Sequence, residues 1–395
     1  MKKSVWTLFV GILVSPCLFA QETFWEFDTH APIHASPTLE SNNLFIGNKE
    51  GIFYSLDINS GESNWQFQSK SPIYAEASIW NDLVLFGNEK GQLTALKKDN
   101  GKLEWIFQAG KDYAIDLWDY FRSAPLAGEN KIYWASGDGH IYALNPHSGE
   151  VIWKFNTGAA VHMTPVLKDG KLLIGNFKGQ LYALEPDSGT LIWKFQAIGS
   201  QYFPNAEFQK SPLIEDGKVF IGSRDLNLYV LDLETGRGIW HFTEQGGSWI
   251  IATPMVQDGT VYFGSSDTYK FYALNEKTGK ERWSIRTFTR SYGSPIAFKD
   301  WIVFPGFDGK IRAVSPENGE IQWEYQTQTS LENYHKLYTS EGKFRNDLKI
   351  SSAEEAEALI DSLGPITNSP VLKNDILYFG SLDGKIYAVD LGDVE

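Results

Sequence analysis

The chain has 395 residues, a formal net charge of −14 and one cysteine, Cys17. Such a surface repels nucleic acid and anionic lipid, and no basic run offsets it, so neither is expected as a partner. A lone thiol near the N-terminus excludes an internal disulfide and a cysteine–zinc centre.

Residues 1–20 read as a secretory signal peptide. Lys2-Lys3 is a basic start, Val5 to Val14 is an apolar stretch too short to span a bilayer, and Ala20 ends a cleavage site. A lipid anchor at Cys17 is disfavoured, because Pro16 stands where a lipobox needs a small residue. Cleavage after Ala20 removes Lys2 and Lys3 and leaves a mature charge of −16. Export without any remaining thiol fits a Gram-negative periplasm. No other segment is long and apolar enough to span a membrane.

From Thr23 onward the chain repeats itself. The phrase YALNPHSGEVIWKF runs from Tyr142 to Phe155, and YALEPDSGTLIWKF from Tyr182 to Phe195, forty residues later. The tryptophans of the series are Trp25, Trp65, Trp105, Trp153, Trp193, Trp240, Trp283 and Trp323. A second series, a small residue followed by proline, recurs at Ser36, Ala124, Thr164, Ser211, Thr253, Ser294 and Ser369, with Glu76-Ala77 in the equivalent place of one repeat. One unit, Thr164 to Phe195, contains four short apolar or alternating runs separated by Gly-bearing turns. That pattern is four antiparallel strands joined by hairpins. A lone sheet of this kind leaves both faces wet, so the units must stack, and many stacked units close into a β-propeller.

The ends of the chain specify how it closes. The last unit, Ser369 to Asp390, has three strands and no Trp phrase, whereas Thr23 to Phe27 is a Trp phrase with no strands before it. The expected fold is therefore all-β: an eight-bladed β-propeller of four-stranded antiparallel blades over residues 21–395, completed by the N-terminal strand, which removes an exposed sheet edge. The turn Asp187-Ser188-Gly189 uses glycine for positive φ, and the recurring tryptophans are expected to pack between blades. Asp138, Asp267, Asp308 and Asp383 read as hairpin-turn residues, because the oxygen spacing of a calcium loop is missing. No metal site is expected.

Function should sit where the repeats differ. The additional residues fall between a Trp strand and the next small-Pro strand: Gln108 to Arg122, Gln196 to Lys210, and Gln326 to Thr367. Loops of one class open on one face of the ring. The longest is expected to be partly helical: Ser352-Ala353-Glu354-Glu355 is a capping box, the run continues to Leu363, and Gly364-Pro365 stops it. Ser330 to Tyr338 is a second short helix in this reading, with Leu331, Tyr334 and Tyr338 on one side. Strands that begin at each small-Pro pair should line the axis. The residue three before proline, or its equivalent, then forms a ring at the mouth: His34, Tyr74, Arg122, His162, Gln209, Ile251, Tyr292 and Thr367, with Lys210, Glu76, Asp116 and Asp119 close by in sequence. Converging Arg, His and Tyr suit a carboxylate or a planar anion. A water-filled funnel of satisfied polar groups is the other reading.

The unit Ser-Pro…Gly…Gly…Tyr-Ala-Leu-Asp…Ser/Thr-Gly…Trp-x-Phe resembles the pyrroloquinoline-quinone (PQQ) repeat over about residues 23–390. Two branches of that family are similar. The quinoprotein alcohol dehydrogenases imply PQQ and Ca²⁺, the ion held through Glu and Asn beside a catalytic Asp, usually with a vicinal cysteine pair that the mature chain lacks. By analogy Arg122 would contact the cofactor and Asp116 or Asp119 would be the base. The non-catalytic propellers like BamB imply a periplasmic scaffold without cofactor, from which the 42-residue insertion and the absent lipobox are departures. The reading adopted is a periplasmic, monomeric, non-catalytic binding or scaffold propeller that takes an envelope protein or small ligand on its insertion-rich face. A PQQ-dependent dehydrogenase of alcohols or sugars is the alternative.

Overall fold

The computed structural model describes residues 23–112, 115–116 and 119–392; the expected signal peptide, with Cys17 and Ala20, lies outside the described residues. The repeat units become eight four-stranded antiparallel sheets. Seven are built from consecutive strands, such as Val166–Lys168, Lys171–Gly175, Gln180–Leu184 and Leu191–Gln196. The eighth joins Thr23–Asp28 to Lys385–Asp390, Ile376–Gly380 and Val371–Lys373, with Trp25 opposite Ala388 and Glu26 opposite Tyr387. The ring is thus closed by its own first strand.

Burial explains why these runs are strands. The middle strands are covered on both faces by neighbouring blades: every residue of Leu83–Gly87 and of Lys171–Gly175 is buried. They accordingly read as continuous apolar runs. The outermost strands alternate, and each of the eight carries a bulge before its tryptophan, as where Ala183 faces Trp193 but Leu184 faces Leu191. The extra residue is pushed outward. Ile152, Ile192 and Ile239, apolar yet exposed, are such bulge residues.

The recurring phrase joins one blade to the next. Trp153 donates its indole N–H to the carbonyl of Pro186 at 3.0 Å, and Trp193 donates to Leu233 at 2.9 Å. The turn glycine of the following blade lies against the same ring. A Cβ at Gly189, where φ is +70°, would come within 2.6 Å of Trp153. Glycine is needed there for both its backbone conformation and its lack of a side chain.

The small-Pro series knits the axis. Thr164 Oγ1 accepts from the Ala124 amide at 2.9 Å, Ser211 donates to the Thr164 carbonyl at 2.9 Å, and Thr253 donates to the Ser211 carbonyl at 2.8 Å.

The longest insertion holds two helices. Ala353–Asp361 starts at Ser352, whose side chain accepts from the Glu355 amide. The other begins earlier than the sequence suggested: it spans Gln328–Asn333 because Thr327 caps it, and a 3₁₀ turn, Tyr334–Lys336, follows. Tyr334 and Tyr338 stack at 4.6 Å, but Leu331 faces solvent, so the expected three-residue side is a two-residue one. Among the described residues no helix is long and apolar enough to cross a membrane.

Candidate functional site

Of the eight ring positions, His34, Tyr74, Arg122, His162 and Gln209 line one cavity of about 270 Å³ at the axis, together with Glu76 and Lys210. Tyr292 and Ile251 do not join them. They pack with Phe121, Trp249 and Phe307 in an aromatic cluster, and the Tyr292 hydroxyl lies 2.7 Å from Ser266 Oγ. Thr367 is buried with its hydroxyl 3.5 Å from His34 Nδ1. Five of the eight positions therefore line the polar cavity and two belong to an aromatic plug.

The first insertion supplies much of the plug. Tyr120 approaches Phe307 at 5.9 Å and Tyr292 at 6.2 Å between ring centres, and Phe121 approaches Tyr292 at 6.3 Å. The longest insertion latches it: Tyr120 donates to Glu357 at 3.0 Å, and Arg290 donates to the same carboxylate at 2.7 Å. A second cavity of about 330 Å³, lined by Lys49, Glu89, Asp361 and Glu357 among others, shares His34, Tyr74 and Arg122 with the first. These three residues form the wall between the two spaces.

The same insertion folds back on the ring through charge. His162 Nδ1 lies 2.9 Å from Asp119 and its Nε2 lies 2.9 Å from Asp112. Burial by itself would lower the His162 pKa, but the two carboxylates outweigh it and hold the value above the ordinary one. For Asp119 burial pushes upward, yet the His162 hydrogen bond and charge and the Arg122 charge bring its pKa below the usual range. Arg122 lies 3.4 Å from Asp119 and 3.6 Å from Asp112, and donates to the Phe121 carbonyl at 2.6 Å. Asp116 pairs with Arg224 at 2.8 Å, and that guanidinium lies 3.9 Å from the Trp249 ring centre. Asp112, Tyr120, Phe121 and Glu357 were not singled out from the sequence. The adjacent aromatics Tyr120-Phe121, next to Arg122 of the ring, were the available signal.

Inside the axial cavity the charges differ from this bound set. His34 is held neutral: burial, then the charges of Lys49 and Arg122, lower its pKa to about 3. Burial lowers Lys210 to about 8 against the opposing pull of Glu76, and raises Glu76 against that of Lys210. Lys210 Nζ lies 4.5 Å from the Phe121 ring centre. Glu76 lines the cavity and is exposed to it. Gln209 is 2% exposed, and neither its amide oxygen nor its nitrogen has a hydrogen-bond partner among the described residues. Nor do three His, Cys, Asp or Glu side chains among those residues converge as a metal-binding group. Of the aspartates at the hairpin turns, Asp138 accepts from the Tyr142 hydroxyl at 2.6 Å and Asp383 from that of Tyr387 at 2.7 Å, while Asp267 pairs with the more distant Arg290 at 3.1 Å.

A closed ring of eight such units, with its variation gathered at one mouth, is the eight-bladed propeller class built from PQQ-type repeats. The chain belongs to the family described as outer membrane protein assembly factor BamB, whose model matches residues 20–137, 137–248 and 215–337. Its fold is similar to the crystal structure of BamB from Moraxella catarrhalis, with a TM-score of 0.71 and 18% identity over 94% of this chain and 100% of that one. It is also similar to a europium-containing methanol dehydrogenase, with a TM-score of 0.70 and 13% identity over 94% of this chain and 93% of that one. A quinohemoprotein alcohol dehydrogenase from Comamonas testosteroni gives 0.68 and 12% over 94% of this chain and 76% of that one. At these identities the likeness concerns the fold. No curated protein matches the sequence.

Proposed function

We propose that the protein is a non-catalytic scaffold of the cell envelope, exported to the periplasm, which docks a partner protein on the face that carries the insertions. The observation that carries this reading is the placement of exposed apolar side chains. Among the described residues, the large exposed ones stand either on outermost strands or on the three insertions: Ile115, Ile198, Tyr202, Leu331 and Ile350. Tyr202 is 79% exposed and Ile198 67%. Nine of these fourteen lie on outermost strands round the ring, and the five on the insertions are exposed apolar groups of the kind a protein partner covers. An apolar groove of about 280 Å³ lies on the same side, lined by Tyr269, Phe307, Leu337, Phe344, Ile350 and Ile360.

The dehydrogenase reading would place a quinone and a metal at the axis. The described side chains there supply no converging donor set, and Tyr120 and Phe121 fill the mouth. Both features favour the scaffold. A deletion of residues 328–363 tests it. The shortened ring should remain folded by circular dichroism and lose capture of the partner recovered with the full chain from envelope extract. Unchanged capture would contradict docking at the insertions. Incubation with PQQ and Ca²⁺ is the second arm: quinone absorbance that survives gel filtration, with dye reduction by alcohols or sugars, would replace the scaffold with the enzyme.

A further inference from the structure

The axial cavity contains two charges, Glu76 and Lys210, that meet no opposite charge in a salt bridge among the described residues; Lys210 Nζ has only a long 3.5 Å hydrogen bond to Ser369 Oγ. Arg122 and His162 are held by Asp112 and Asp119, so their charges are already balanced. Glu76 and Lys210 face the same space, feel each other's charge, and form no direct ion pair among the described residues. Gln209 lines the cavity with an unpartnered donor and an unpartnered acceptor, although it is almost fully buried. A buried amide without partners is costly unless something else supplies them. The small-Pro hydroxyls around it are largely spent on the backbone, as in the Ser211 and Thr253 bonds and the Ser294 amide donated to Ser369 Oγ at 2.9 Å.

The space therefore offers one anion, one cation and one free carboxamide, with no net charge between the first two. A simple anion would face Glu76, a simple cation would face Lys210, and a neutral sugar would leave both charges unpaired in a confined site. A molecule that carries both charges and no net charge satisfies all three groups. The volume, about 270 Å³, is at the small end for ligand cavities. We propose that the axial cavity is a binding site for a small zwitterion of the α-amino acid class, with its ammonium on Glu76, its carboxylate on Lys210 and a further polar contact from Gln209. Gln209 and Lys210 end the second insertion, so the cavity adjoins the docking face, but the assignment does not rest on the docking reading.

Isothermal titration calorimetry of the full mature chain at pH 7, with thermal shift in parallel, tests the assignment. The probes are glycine, L-alanine and L-serine, with sodium acetate and methylammonium chloride as singly charged controls. At least one amino acid should bind and raise the melting temperature, while neither control does so at the same concentration. E76Q and K210Q should each weaken that binding about tenfold or more, because each removes a charged partner. The wild-type panel stands by itself should a variant fail to fold. Binding of acetate as tight as that of the amino acids, no binding by any of the three, or retained affinity in folded E76Q and K210Q would overturn the proposal.

Discussion

His162 sits between two carboxylates with both ring nitrogens engaged, and this fixes how the first insertion responds to pH. The folded-state pKa stands above the ordinary 6.5, so the stabilisation is complete below about pH 6.5 and is lost as pH rises through the raised value. Asp119 acts at the other end. Its pKa is depressed, so its contribution is present above the ordinary carboxylate pKa and is lost as pH falls through the folded value. The melting temperature of H162N, compared with wild type across pH 5 to 9, should therefore show a shallower alkaline decline. Parallel curves would mean that His162 does not hold the insertion through its charge. Asp119→Ala leaves His162 and Arg122 short of a partner and should cost about 3 kcal/mol in urea unfolding. The ring positions were legible because each keeps a fixed offset from its proline or, for Tyr74, from Ala77 in the equivalent place. Their partners were not: Asp112 and Asp119 are fifty and forty-three residues from His162, and no local pattern records a contact of that range. For the same reason nothing in the sequence separated Tyr292, turned toward Ser266, from the residues that face the cavity.

At the scale of elements, the Trp–Gly contact between neighbouring blades carries the repeat. Gly170 and Gly189 both have φ near +70°, but a Cβ at Gly170 meets nothing within 4 Å, whereas one at Gly189 meets Trp153 at 2.6 Å. Gly170→Ala should cost about 1 kcal/mol, the penalty of a left-handed backbone for a side chain. Gly189→Ala should cost clearly more, because the indole must also move. Equal losses in chemical denaturation would show that the phrase is turn chemistry alone. Hairpins and the Ser352 cap could be read directly, since glycine turns and capping boxes have local signatures. The bulge before each tryptophan could not. It adds one residue to every copy of the phrase, so it looks like ordinary repeat length. The latch is an element-scale device as well. Glu357→Gln should weaken the hold on Tyr120 and Arg290 and speed amide exchange in residues 119–122 without changing overall secondary structure. Unchanged exchange would detach the helix from the plug.

For the whole molecule, closure and asymmetry matter most. Strand Thr23–Asp28 covers the edge of Lys385–Asp390, so a chain that starts at residue 29 should expose that edge and form oligomers on gel filtration. A monomer with an unchanged melting temperature would contradict closure by this strand. The two faces of the ring then differ sharply. One carries turns such as Asn59-Ser60-Gly61 and Asp187-Ser188-Gly189, while the other carries the three insertions. Site-specific photo-cross-linking in living cells compares them directly. A cross-linker at Tyr202, Leu331 or Ile350 should trap one defined envelope protein, and the same group at Asn59 or Ser188 should trap none of it. Equal trapping from both faces, or trapping confined to Asn59 and Ser188, would contradict a docking surface built from the insertions.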